Sequence, residues 1–239
     1  MDQRERIADH QCHWFPPAAV ESLARRRDYP RAERVGRVWV LELAEGHRQQ
    51  MPPTIDDLEA QFADADAHGI DVLVSSPNHL GEVLHLEPSE AAEHLDLVNE
   101  LVAAAQREHP ARFVGLAMLP MQDPELALGV LDRAAGNNLR GVTVVASIDG
   151  RSIARDELLP VYRRIEELRL PLFLHPGVRS NTFPGSPLAE AGLGWMYHTT
   201  LAAVNLIESG VLDACPDLVV VHPHLGGVLP YVLDKLLGV

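Results

Sequence analysis

Six short apolar runs, three of them closed by a polar or ionisable residue, alternate with amphipathic helical stretches, and this rhythm limits the fold more than any other feature. The runs lie at residues 7–15, 70–75, 113–119, 141–146, 172–175 and 218–222. The helical stretches lie at 55–68, 89–108, 123–135, 155–169, 201–208 and 228–237. Thr54 is the expected N-cap of the first of these, with Asp56 and Asp57 in its first turn. Strands alternating with helices build βαβ units and a parallel sheet. Several runs are apolar throughout, as expected where helices and core bury both faces of a strand. No glycine-rich fingerprint follows the first strand, which disfavours a dinucleotide-binding fold. Instead His13, Ser75, Ser76, His175, His222 and His224 stand at strand ends. A (β/α)₈ barrel collects its active site there, so the expected fold is a TIM-type (β/α)₈ barrel. It forms one domain over residues 1–239, with an inserted loop or hairpin at about 29–53.

Composition narrows the chemistry. The net charge is −14, so there is no basic surface to displace the counterions of a nucleic acid. No apolar run has the length of a membrane span, and the N-terminus is too polar for a signal peptide. Cys12 and Cys215 make no disulfide framework, so a cytoplasmic protein is expected. Lys235 is the single lysine. That excludes a P-loop, Schiff-base chemistry on an internal lysine, and a metal pair bridged by one. The chemistry therefore falls to the 12 histidines.

In a regular strand, residues i and i+2 share a face. That reading puts Asp9, Gln11 and His13 on one face and His10 and Cys12 on the other. It puts His222 and His224 together, and it ends a third strand at His175. Imidazoles delivered by separate strands to one rim suit a catalytic metal that activates water or a substrate oxygen.

Asp9-His10-Gln11-Cys12-His13-Trp14-Phe15-Pro16 resembles the D-x-H-x-H opening, followed by an aromatic residue and proline, of the amidohydrolase superfamily. The similar branch contains aminocarboxymuconate-semialdehyde decarboxylase and related decarboxylases and hydrolases. Further matches are Gly69-Ile70-Asp71, Arg140-Gly141-Val142, Leu170 to Pro176, Gly210 to Leu218 and His224 to Pro230, in the same order. The resemblance implies one divalent metal ion, zinc or similar, held by two first-strand histidines, the fifth-strand histidine and an eighth-strand aspartate. A sixth-strand histidine serves as general base. By position His13 and His175 would be ligands and His224 the base. Trp14, Arg179 and His222 are expected to line the substrate site. The implied function is non-oxidative decarboxylation of a small carboxylated substrate, in a homodimer. A metal-dependent hydrolase, of a lactone for example, is the alternative.

Two departures support a third reading, a catalytically inactive barrel or binding unit. Gln11 stands where the first histidine would be, and offers a carbonyl oxygen in place of an imidazole. The only aspartate after His224 is Asp234, inside the last helical stretch. At about 37 residues per βα unit, on the order of 70 more would complete an eightfold barrel. The expectation is therefore about six βα units with the last two missing, either in a fragment of a longer protein or in a barrel whose gap a partner covers.

Overall fold

The computed structural model describes residues 5–45, 47–77, 83–148, 150–177 and 186–238. Strand β1 (Ala8–Cys12) leads into helix α1 (Pro17–Ala24). An antiparallel sheet follows, made of β2 (Arg31–Val35), β3 (Val38–Ala44) and β4 (His47–Gln50). Helix α2 (Leu58–Ala67) returns the chain to β5 (Val72–Ser75), and α3 (Pro88–Glu108) connects it to β6 (Phe113–Gly115) and β7 (Ala117–Met118). Then come α4 (Pro124–Gly136), β8 (Val142–Val145), a small hairpin of β9 (Ser147–Ile148) and β10 (Arg151–Ser152), and α5 (Leu159–Glu167). The remaining elements are β11 (Leu172–His175), α6 (Pro187–Ala189), α7 (Trp195–Glu208), α8 (Val211–Ala214), β12 (Val220–Val221) and α9 (Leu229–Leu236).

Strands β1, β5 and β6 pair in parallel, as do β7, β8, β11 and β12. Leu116 alone separates β6 from β7, so the two sheets meet in one extended segment. Buried side chains of α3 hold that segment. Asn99 donates to the Met118 carbonyl at 3.0 Å and accepts from its N–H at 2.9 Å, and Gln106 accepts from the Gly115 N–H at 3.0 Å. The parallel strands follow sequence order with helices between them, which is the repeat of a TIM-type barrel. No helix among the described residues is long and apolar enough to cross a membrane.

Side-chain alternation sorts the strands into two packed layers. Leu73, Phe113, Ala117, Val142, Val144, Leu172 and Leu174 face the helices in the large core. Val74, Leu116 and Phe173, with Ala8, Val72, Val114 and Val221, form a separate cluster on the inner face. Local chemistry sets the helix starts. Asp57, not the expected Thr54, caps α2 by accepting from the Ala60 N–H, and residues 53–56 turn instead of joining the helix. Asp123 caps α4 with Pro124 in its first turn, where the missing N–H costs nothing.

The α1–α3 contact makes stability pH-dependent. The Ser22 hydroxyl donates to the Ala19 carbonyl, so it can only accept from His94 Nδ1, 3.3 Å away. Nε2 of His94 is buried with no hydrogen-bond partner. A second proton there would meet no acceptor and would lie near Arg26. Burial first, then the Arg26 charge, lower the His94 pKa to about 4 against the opposing effect of Glu90. Above pH 6.5 the ring is neutral folded or unfolded. Between 6.5 and about 4 the unfolded chain alone binds the proton, so stability falls as pH falls. At about 1.4 kcal/mol per pH unit this amounts to about 3 kcal/mol. Urea unfolding at pH 7 and pH 5 is expected to show a smaller pH dependence in His94→Gln than in wild type. Equal slopes would remove His94 from the account.

Candidate active site

The site is assembled where β1 meets β5 and β11. In the β1–β5 register Ala8 faces Val72 and Asp9 faces Leu73, but the next pair is Cys12 with Ser75. Two residues, His10 and Gln11, therefore span the single Val74, which is a β-bulge. The bulge changes the parity of the strand. Ala8 and His10 belong to the inner face, Cys12 points to the outer core with its thiol 3.7 Å from the Gln61 carbonyl oxygen, and His13 returns to the inner face. The regular alternation expected from sequence put His10 and His13 on opposite faces; the bulge puts them on the same one. The Gln11 backbone N–H donates to Asp9 Oδ1 at 2.9 Å, and the Gln11 side chain is exposed at the bulge.

Ring contacts support the same assignment. Phe173 and His175 are two residues apart on β11 and so share its inner face. His10 stacks on Phe173, with centroids 6.3 Å apart and planes at 22°. His13 meets His175 edge to face at 5.2 Å and 81°. The expected ligand positions His13 and His175 are thus neighbours in space although far apart in sequence.

Backbone carbonyls orient both rings. His13 Nδ1 lies 3.0 Å from the Ser76 carbonyl oxygen and 3.1 Å from the Ser76 hydroxyl. His175 Nδ1 lies 3.2 Å from the Pro176 carbonyl. A carbonyl only accepts, so Nδ1 carries a proton in each ring, and in the neutral ring the lone pair falls on Nε2. This is the arrangement by which metal-binding imidazoles are commonly oriented. Burial lowers the His13 pKa against the opposing effects of the Ser76 carbonyl and Asp9, so His13 is neutral at pH 7. Two imidazoles, each with Nδ1 held by a carbonyl, fit a divalent ion as a pair of ligands. Among the described residues, no three His, Cys, Asp or Glu side chains converge on one point.

The other candidates stand elsewhere. Strand β12 ends at Val221, before either histidine, so alternation no longer relates His222 to His224. His222 donates from Nδ1 to the Pro223 carbonyl at 2.8 Å, and its Nε2 is buried without a partner. Its Cε1 lies 3.1 Å from where a Cβ on Gly227 would be, next to Thr200 and Met196 of α7. That edge of the ring packs toward α7. His224 is exposed and opens a turn in which residues 224–227 all have positive φ. Burial first, then repulsion from His222, lower its pKa. Trp14 is 8% exposed and packs edge-on against Phe113 in the outer layer, beside a cleft of about 580 Å³ between α2 and α3. Trp14 thus braces the outer layer through Phe113. Arg179 lies outside the described residues. A regular β1 would turn His10 away from His13, and only a bulge re-aims it; the β1–β5 register supplies that bulge.

The match to a family profile decides the relationship, since the amidohydrolase model covers residues 8–236. The chain belongs to the amidohydrolase family. This amidohydrolase chain is 28% identical over 187 residues to a 2-amino-3-carboxymuconate-6-semialdehyde decarboxylase of Dictyostelium discoideum, covering 75% of this chain and 50% of that one. It is 31% identical over 186 residues to a gamma-resorcylate decarboxylase of Polaromonas sp., covering 72% of this chain and 56% of the relative. Among solved structures it is similar to a manganese-bound 5-carboxyvanillate decarboxylase from Novosphingobium aromaticivorans. That match has a TM-score of 0.77 and 25% identity, and covers 98% of this chain and 70% of the other. The alignments to the two curated relatives span between half and two thirds of those proteins' lengths.

Proposed function

We propose that this chain carries the barrel of a metal-dependent, non-oxidative decarboxylase acting on a small carboxylated aromatic substrate. The single observation behind this reading is the His13–His175 pair, two carbonyl-oriented imidazoles at the ends of β1 and β11 in a chain similar to decarboxylases. A bound divalent ion supplies Lewis-acid stabilisation of the negative charge that develops on substrate oxygen as carbon dioxide leaves. His13 and His175 would hold that ion, and the Ser76 and Pro176 carbonyls keep the rings from turning away. His224, kept neutral by partial burial and by His222, takes up a proton from the bound substrate or from water. It returns the proton to the ring carbon, which keeps the electron pair of the broken C–C bond. The imidazole pair suits zinc, and the manganese held by the 5-carboxyvanillate decarboxylase makes that ion the first to try. Free Cys12 and Cys215, both buried, support a reducing cytoplasm. Exposed Tyr197, Leu201, Tyr231 and Leu237 on and after α7 and α9 support a homodimer.

The test is carbon dioxide release from 5-carboxyvanillate and gamma-resorcylate by protein loaded with manganese or zinc, run beside ring opening of a lactone panel. Metal-dependent carbon dioxide release is expected. Lactone opening without it would move the protein to the hydrolases, and neither activity in folded, metal-loaded protein would overturn the enzyme reading.

A further inference from the structure

The inserted sheet closes one side of a recess of about 440 Å³ that lies along β1, between α2 and the end of β4. We infer that this recess receives the substrate ring, that Gln49 positions the ring there, and that the substrate is a hydroxylated aromatic acid with a single carboxylate. The inference rests on the decarboxylase reading above and narrows its substrate class.

Three observations carry it. First, the recess borders the imidazole pair. His13 stands in its wall, and its volume is that of a small-molecule site. Among the described strands β1 pairs only with β5, so no described strand stands between the recess and the face on which His13 meets His175. Second, Gln49 is placed to read a ring substituent. It lies opposite Leu41 across the inserted sheet, and opposed residues share a face, so its side chain is on the same side as buried Leu41. Gln49 is half-buried in the recess wall, and its side-chain amide makes no hydrogen bond among the described residues. An amide has donors and an acceptor, so it can meet a phenolic hydroxyl in either role. Buried Met51 and Ile55 supply apolar wall for the ring. Third, the ionised side chains select against a second carboxylate. Asp9 and Asp64 line the recess, and no lysine or arginine does so among the described residues. One substrate carboxylate has the divalent ion to pair with, whereas a second would meet these like charges.

Steady-state carbon dioxide release from gamma-resorcylate, which has one carboxylate and two hydroxyls, and from 5-carboxyvanillate, which has two carboxylates, tests this in the metal-loaded full chain. Wild type is expected to favour gamma-resorcylate roughly tenfold or more in kcat/KM. Gln49→Met keeps the side-chain length and removes the amide. It is expected to raise KM for gamma-resorcylate about two- to tenfold, the loss of one hydrogen bond, with kcat and bound metal unchanged. A merely structural role would lower kcat and metal content as well. In ¹⁵N-glutamine-labelled wild type, gamma-resorcylate is expected to shift the assigned Gln49 side-chain amide, a readout that needs neither turnover nor a folded variant. Equal or better use of 5-carboxyvanillate overturns the single-carboxylate class. An unchanged KM in folded Gln49→Met, or an unmoved Gln49 amide, overturns the positioning role, and in each case the decarboxylase reading stands. If neither acid releases carbon dioxide, the decarboxylase reading falls, and the Gln49 amide alone then decides whether the recess binds a hydroxylated aromatic acid.

Discussion

His175→Ala is expected to lose divalent-ion binding and decarboxylation together, while keeping the far-UV circular dichroism of wild type. His175 closes β11, its Nδ1 is held by the Pro176 carbonyl, and its ring packs edge-on against His13. The backbone around it does not depend on the imidazole. Leu172 and Leu174 carry the outward packing of β11, and its strand neighbours pair through main-chain atoms. Loss of an outer-shell partner already costs 10–100-fold in affinity or activity. Loss of a ligand from a site with few protein donors should exceed that, so a fall of at least roughly a hundredfold is expected. Metal content after desalting and carbon dioxide release are the two measurements. Retention of stoichiometric metal would remove His175 from the ligand set. Retained metal with lost turnover would reassign it to substrate or proton handling.

The largest stability effect from a single added methyl group is expected at Gly227. This residue has φ of +59° in the turn after β12, and a Cβ there would lie 2.5 Å from Thr200 Oγ1, 2.9 Å from the Met196 carbonyl and 3.1 Å from His222 Cε1. None of these neighbours yields easily. The Met196 carbonyl is helix backbone, and the Thr200 hydroxyl donates to it at 2.7 Å while accepting from the Val228 N–H at 3.0 Å. That hydroxyl is the clasp between α7 and the start of α9. Overpacking costs about 1–3 kcal/mol and an unfavourable backbone region a similar amount. Gly227→Ala is therefore expected to destabilise by roughly 3 kcal/mol, or about 6–12 °C in Tm for a chain of this size. Gly136, at the end of α4, meets nothing within 4 Å of an added Cβ and has no positive φ. Gly136→Ala is expected to be neutral or to stabilise by up to about 1 kcal/mol through the unfolded chain. Calorimetric melting of both variants checks the contrast, and equal effects would refute the steric account.

Much of the architecture was legible in the residues. The apolar runs around Leu73, Val144 and Leu174 are buried on strands, and the helical stretches around Leu95, Val130 and Ile165 pack outside them. The sequence reading of α7 began at Leu201, but the helix starts at Trp195. Several of its residues between are exposed or polar, so no apolar stripe marks that first part. The last strand was read too long. Pro223 and the run of positive φ from His224 to Gly227 bend the chain away after Val221. His224 and Leu225 adopt that conformation without being glycine, which no local propensity announces.

The division has a physical basis. Residue type and spacing alone determined the βα rhythm, the inner and outer faces of the regular strands and the acidic charge. Each of these follows from solvent preference and a fixed helical or strand period, which a single segment carries in itself. Tertiary structure decided which histidines meet. Pairing register belongs to two strands at once, so the bulge at His10 and Gln11 exists only where β1 lies against β5. That one extra residue turns His10 to the same face as His13 and leaves Gln11 at the kink. Similarly, His13 and His175 become neighbours, 162 positions apart by their residue numbers, because the sheet curves, not because of any spacing along the chain.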